Sequence, residues 1–369
     1  MNLIISSRER LRAVYGTGGE QSVTAALVRL LAARTARGAP TRLVWIEEGL
    51  PDLDVAAAAA DPEAISQQIG ELSSALGRTG ARLQSILIAG GPDIVPFYQA
   101  PNPTPYDGDL SVFCDCFYGA CNPYALMPEW AVGRIPGASG GDPTLLLRLL
   151  GAAASYQPAP GRQAQKAFGY STEAWRYAAA LVYAEIPGGD VLLISPPALA
   201  TTFNRGSLDR ARRVYCNLHG VRDAPLWYGQ PSDRSALVVA LRPADLDGLD
   251  LSGAVVVSEA CYGAAIDGRD EQSSLALAFL ARGAAGFLGA TAISYGPPGP
   301  PIGEADLIAL HFLRALREPG ATLGGAFMAA RAGMLRDTLA HQATLDEDDQ
   351  KTLLEFVLYG DPTLVMQES

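Results

Sequence analysis

Residues 213–220 read Arg213-Val214-Tyr215-Cys216-Asn217-Leu218-His219-Gly220, and residues 254–264 read Ala254-Val255-Val256-Val257-Ser258-Glu259-Ala260-Cys261-Tyr262-Gly263-Ala264. Each is a short apolar run that ends in a chemically competent side chain and then opens into a glycine, the pattern of a buried strand leading into a turn. In open α/β sheets, ligands sit in the crevice beyond the carboxyl ends of the strands. Two neighbouring strands of this kind hold an imidazole and a thiol over one crevice. Cysteine hydrolases need that arrangement, because the thiolate attacks and a nearby histidine handles protons. The glycine after each residue lets the backbone approach a substrate carbonyl and aim N–H groups at a developing oxyanion. A strand-end histidine bonded to a loop carbonyl, and a cysteine serving as a small buried hydrophobe, account for the same residues. Spacing alone leaves both readings open.

Outward from these runs the chain alternates short apolar segments with longer amphipathic ones, which predicts an α/β layered sheet. In the amino-terminal part, strands are expected over 3–6, 42–46, 85–89 and 130–135, and helices over 23–37, 62–76 and 142–156. Asp142 before Pro143 reads as an N-cap and first-turn pair. Residues 90–130 read as irregular. Gln157-Pro158-Ala159-Pro160-Gly161 interrupts both helix and strand and is the best linker. Beyond it, strands are expected over 167–171, 191–195, 214–218, 254–258 and 285–290, and helices over 173–184, 207–213 and 273–282. Helices over 304–317, 323–339 and 345–354 follow, the last leading into a strand over 356–358. The chain therefore divides into two consecutive α/β subdomains with mostly parallel sheets, 1–157 and 158–369.

At 369 residues and 49% apolar composition, the chain buries a substantial core without staples. Its net charge of −11, from 28 basic and 39 acidic residues, argues against nucleic acid as a partner, since phosphate binding draws on clustered positive charge. Lys166 and Lys351 are the only lysines. Five cysteines, an odd number, point to free thiols in a reducing compartment. Met1 to Gly16 lacks the basic n-region and long apolar stretch of a secretory signal, and no run spans a bilayer, so a cytoplasmic protein is expected. Neither glycine-rich phosphate motif follows a strand. Cys114, Cys116 and Cys121 lie close together, but no histidine or paired cysteine nearby completes a zinc site. His311 and His341 fall in helices, where hydrogen bonding is the expected role.

A strand ending in His-Gly followed by one ending in Ala-Cys-x-Gly resembles the caspase-like peptidases, and further segments resemble the gingipain family among them. These are Ile86 to Pro96 (ILIAGGPDIVP), Pro128 to Pro136 (PEWAVGRIP), Asn217 to Gly220 with Trp227 and Gly229 downstream, Gly283 to Thr291 (GAAGFLGAT) and Tyr359 to Leu364 (YGDPTL), in the family's order. The resemblance implies a caspase-like three-layer sandwich and a cysteine endopeptidase. Cys261 would be the nucleophile and His219 the catalytic histidine, with backbone N–H groups of Gly220 and Cys261 as the oxyanion hole. Gingipains carry an acidic residue that orients the histidine, and Glu173 is its nearest match; a carboxylate at a helix N-terminus is the alternative role. Trp227 and Tyr262 are expected to contact substrate, as are Asp223 and Asp267, which with Asp270 lie in loops able to line its pocket. The acid that sets arginine preference in some gingipains has no clear counterpart. No cofactor is implied; related enzymes bind calcium structurally, and no EF-hand loop is present.

The expected partners are a protein or peptide substrate and an activating or inhibitory protein. Self-cleavage in the proline-rich loop from Tyr295 to Gly303 is a further means of control. The rival readings are a non-catalytic caspase-like regulatory or partner-binding module, and a thiol amidase or acyltransferase on the same scaffold.

Overall fold

Strand β1 (Asn2–Ser6) is buried along its whole length, and a strand buried on both faces must sit inside a sheet covered from two sides. In the computed structural model, which describes residues 1–120, 122, 126–158, 166–189 and 191–366, that sheet has ten strands. After β1 come α1 (Arg8–Ala36), β2 (Thr41–Trp45), α2 (Pro62–Arg78), β3 (Ser85–Ala89), β4 (Tyr98–Pro101), β5 (Ser111–Cys114), β6 (Ala131–Ile135) and α3 (Thr144–Ser155). Then follow β7 (Ala167–Thr172), α4 (Arg176–Tyr183), β8 (Leu193–Ser195), α5 (Arg205–Leu208), β9 (Arg213–Asn217), β10 (His219–Val221), β11 (Ala224–Gly229) and β12 (Val238–Leu241). The chain closes with β13 (Val255–Ser258), α6 (Leu275–Ala281), β14 (Gly286–Ala290), α7 (Glu304–Ala315), α8 (Leu323–His341), α9 (Glu347–Glu355) and β15 (Phe356–Gly360).

The order across the sheet is β2-β1-β3-β6-β15-β14-β13-β9-β7-β8. Strands within each half are parallel, and the halves meet where β15 pairs antiparallel with β14 and parallel with β6. The last strand of the chain thus lies at the centre. Its orientation sends the carboxyl ends of β9, β13 and β14 to one edge of the sheet and those of β3 and β6 to the other. Side chains alternate between the faces: Val256 enters the core beneath α1, α3 and α6, while Val255 and Val257 enter the core beneath α4, α7 and α8. This is the three-layer α/β architecture the sequence predicts.

Local chemistry explains the element ends. Asp61 accepts from the Ala64 N–H and precedes Pro62, which starts α2. Ser7 caps α1, so that helix begins at Arg8, well before residue 23; Gly16, at φ +71, kinks it and interrupts the apolar pattern. Asp142 accepts from the Thr144 N–H and hydroxyl, placing the start of α3 after Pro143. Arg213 is the first residue of β9, and the helix expected over 207–213 is only the short turn α5. The β4–β5 hairpin and the antiparallel β10-β11-β12 sheet were not expected, because strands this short are fixed by their pairing partners rather than by their own pattern. His311 bonds the Asp337 carboxylate and His341 the Asp337 carbonyl, as helical histidines were expected to do.

Two of the quoted segments hold the sheet together. Arg134, fully buried, makes a bidentate pair with Asp115 at 2.8 and 2.6 Å and reaches the carbonyls of Gly90 and Val95. Arg34 of α1 pairs likewise with Asp361 at 2.9 and 2.5 Å, and Asp361 also accepts from the Thr363 N–H and hydroxyl. Gly133 must lack a side chain, since a Cβ there would lie 2.5 Å from the Gly360 carbonyl. Cys121, residues 159–161 of the expected linker and the first residues after it lie outside the described residues. Among the described residues, no helix is long and apolar enough to cross a membrane.

Candidate active site

Strands β9 and β13 are neighbours, paired in parallel with Cys216 opposite Ser258. The ladder continues one step further through the Glu259 N–H to the Cys216 carbonyl at 2.9 Å. His219 and Cys261 each follow three residues after that matched pair, so the topology delivers both to the same edge. The apposition is tight: a Cβ on Gly220 would lie 1.9 Å from the Cys261 carbonyl oxygen. Next to them lies a narrow cleft lined by Trp175, Asn217, Glu259, Asp306 and residues 294–297, of which Trp175 and Ser294 touch the two side chains. Trp175 packs on the His219 ring with centroids 4.2 Å apart, and Ser294 contacts the Cys261 sulfur.

Cys261 is half-buried, and its Sγ both donates to the Ser294 carbonyl and accepts from the Ser294 N–H, each at 3.4 Å. Burial pushes the thiol up to about 11, against a lowering from the Ser294 N–H. Burial also lowers His219 below its ordinary value, opposed by its bond to Gln230 and assisted by Arg234. The resting pair is therefore a neutral thiol and a neutral imidazole. Gln230 Nε2 donates to the Arg234 carbonyl, which turns its Oε1 toward His219 Nε2 at 3.0 Å. His219 thus carries its hydrogen on Nε2 and leaves Nδ1 as the basic nitrogen.

The other expected site residues are distributed unevenly. Glu173 begins the turn after β7, as anticipated, but its carboxylate accepts from the Ser232 N–H and faces Arg176; the imidazole is oriented by Gln230 instead. Trp227 is corrected to a core residue: it is 3% exposed and its ring is packed against Phe279 and Phe287. Tyr262 directly follows Cys261, with its phenol on Asp109. Asp267 lines a separate pocket with Arg222, Arg269, Phe97 and Phe113. Asp223 is exposed in the β10–β11 turn, and Asp270 caps a turn through Ser273.

Sequence reasoning missed Gln230, Trp175 and, above all, a carboxyl pair in the cleft. Asn217 Nδ2 donates to Glu259 Oε2 at 2.6 Å and reaches Asp306 Oδ1 at 3.5 Å. Glu259 Oε1 and Asp306 Oδ2, both buried, are left without another partner. Burial and mutual proximity push Glu259 well above the usual carboxylate range, and burial pushes Asp306 up to about 7. One proton shared between them satisfies both orphan oxygens at neutral pH. Glu259 had a signal, an acid at the end of an otherwise apolar strand; Asp306 comes from α7 and had none.

The model of peptidase family C25 matches residues 2–156 and 239–367, a span that includes Cys261 and leaves out His219. No curated protein matches the chain. Among solved structures, the Arg-specific cysteine proteinase gingipain R superposes with a TM-score of 0.69 at 14% identity, over 99% of this chain and 77% of that one. The complex of Porphyromonas gingivalis RgpB pro- and mature domains gives 0.64 at 13% identity, covering 99% and 79%. A structure described as a protease gives 0.67 at 12%, covering 99% and 78%. With the family model matched in both halves and the gingipain fold reproduced across nearly the whole chain, this protein belongs to peptidase family C25, the gingipain family, and is a cysteine-type peptidase.

Proposed function

We propose that the chain is an endopeptidase that cleaves after a basic residue through a Cys261–His219 dyad. The observation that carries this reading is the close approach of the two strand ends, with Gly220 against the Cys261 carbonyl. His219 Nδ1 takes the proton as Cys261 Sγ attacks the scissile carbonyl, and the N–H groups of Gly220 and Cys261 receive the developing oxyanion. The same nitrogen gives the proton to the leaving amine as the C–N bond breaks, leaving a thioester. Water, deprotonated by His219, then hydrolyses it and restores the thiol.

The Glu259–Asp306 pair supports the basic preference. When the shared proton leaves, the pair carries two negative charges at the floor of the cleft and attracts a substrate ammonium or guanidinium toward its mouth. The loop from Tyr295 to Gly303 contains no Lys or Arg, so this preference argues against self-cleavage there. The free thiols of Cys114, Cys116, Cys216 and Cys261 support a cytoplasmic setting. Control by a partner protein completes the proposal; one structural neighbour was solved as a complex of pro- and mature domains. The division at 157/158 is kept as the proposed subdomain boundary.

A peptide-library digest read by sequencing tests the assignment. Cuts are expected after Lys or Arg, absent with Cys261→Ala, and Glu259→Gln should weaken the preference at least tenfold. Cleavage that survives Cys261→Ala, or no cleavage by the wild type, overturns the dyad; cuts unrelated to basic residues overturn the cleft assignment.

A further inference from the structure

Tyr262, the residue directly after Cys261, sits at φ +54, in the left-handed region that a bulky side chain rarely occupies. Such a conformation persists only where its surroundings over-determine it. Its N–H donates to the Ala292 carbonyl at 2.8 Å and its phenol donates to Asp109 Oδ1 at 2.6 Å. Arg222 donates to the same oxygen, and its guanidinium lies 5.3 Å from the Tyr262 ring. The second oxygen of Asp109 accepts from the Ile293 N–H at 2.8 Å and from Lys351 Nζ at 2.8 Å. Ile293 precedes Ser294, whose N–H and carbonyl hold the Cys261 sulfur.

One carboxylate therefore touches both segments that fix the sulfur: the residue after it in sequence and the residue before its hydrogen-bond partner. Asp109 comes from the connection between β4 and β5, in the other half of the chain, and is itself held firmly. Its N–H donates to Asp107 Oδ1 at 2.9 Å, Asn102 donates to that same oxygen, and Tyr295 donates to Asp107 Oδ2. Lys351, fully buried on α9, binds both aspartates. Arg222 and Lys351 balance the charge of Asp107 and Asp109, and the nearby Glu355, fully buried, is kept neutral by that burial.

We propose that Asp109 is a positioning residue for the nucleophile, tying the turn after Cys261 and the strand exit at Ile293 into one rigid cradle for Sγ. This rests on Cys261 as the attacking atom. A buried ion pair contributes little net stability, and fixing geometry is a use that offsets its desolvation. Without Asp109 the Tyr262 turn loses its anchor and the Ser294 N–H loses its alignment with the sulfur.

The test compares Asp109→Ala, Tyr262→Phe and the double variant on a peptide substrate, with alkylation of Cys261 by iodoacetamide at about pH 8 as a second readout. Lys351 keeps Asp107 as its partner in all three. Asp109→Ala should lower kcat about a hundredfold with little change in KM, since misplacing a reacting group by an ångström has an effect of that size. Tyr262→Phe should lower kcat about tenfold, and the double variant should be close to Asp109→Ala alone, because the carboxylate that anchors the phenol is then already gone. Alkylation should slow in the same order. Losses that multiply in the double variant overturn the proposal, as does an unchanged kcat in Tyr262→Phe, the variant that stands if Asp109→Ala does not fold. Wild-type cleavage that persists in Cys261→Ala marks instead a failure of the underlying dyad.

Discussion

Gly220→Ala probes the apposition on which the dyad depends. The added Cβ would lie 1.9 Å from the Cys261 carbonyl oxygen, 3.0 Å from its carbon and 3.4 Å from the Ala260 Cβ. The first of these must open by at least 1.1 Å to reach the 3.0 Å below which real Cβ contacts do not occur. No flexible side chain yields here, because the obstacle is the backbone of Cys261 itself. The N–H groups of Gly220 and Cys261, proposed as the oxyanion hole, then shift together with the imidazole–sulfur geometry. Losing one oxyanion donor typically removes a factor of about 10²–10³ from kcat, or ~3–4 kcal/mol of transition-state stabilisation. Overpacking destabilises the fold by a further ~1–3 kcal/mol, which in a protein of this size lowers Tm by a few degrees. The assay is kcat and KM on a fluorogenic basic-residue peptide, paired with thermal unfolding. Gly18→Ala is the control, since its methyl meets nothing within 4 Å on α1. A Gly220→Ala enzyme within about threefold of wild-type kcat would show that the two strand ends do not meet, and the reasoning fails.

Three further outcomes follow from the same geometry. Because burial raises the Cys261 thiol to about 11, its alkylation by iodoacetamide should climb roughly tenfold per pH unit from about pH 7 to 10; a plateau already reached at neutrality would reveal a pre-formed thiolate and contradict the neutral pair. Trp175→Ala uncovers His219 and relieves the burial that lowers it, so the imidazole moves up and the acid limb of the kcat/KM profile shifts to higher pH; a shift to lower pH refutes this. Asp361→Ala strands the Arg34 guanidinium in the core and should cost ~3–5 kcal/mol in urea unfolding. Its partner Arg34 holds Asp361 below the usual carboxylate range, so that stability is complete above about pH 4 and is lost as pH falls through the lower folded value; the variant should show a flatter acid limb, and an unchanged one would argue against the pair.

Much of the strand pattern of the large sheet was readable because it is written in local composition. Residues 86–89 and 254–257 are continuous apolar runs, and such a run has few other places to go than a doubly covered sheet. The places of His219 and Cys261 just beyond strand ends were legible for the same reason, as each interrupts such a run at its end. The hairpin from Tyr98 to Cys114 was not, because four-residue strands acquire their identity from the partner they pair with. Nor was the role of Gln230, which carries no sign of the imidazole it faces, while Trp227 looked like a site residue and is core.

The sequence by itself determined the α/β class, the ladder of buried strands and the positions of His219 and Cys261 at strand ends, all properties set by hydrophobic periodicity over a few residues. Only the tertiary structure decided what surrounds them. The central place of β15, the pairing of Glu259 with Asp306, and the reach of Asp109 to both flanks of the sulfur join residues tens to hundreds of positions apart. Such contacts depend on how the covered sheet is wound, and charge or hydrogen-bonding capacity at one position holds no record of the partner that folding brings to it.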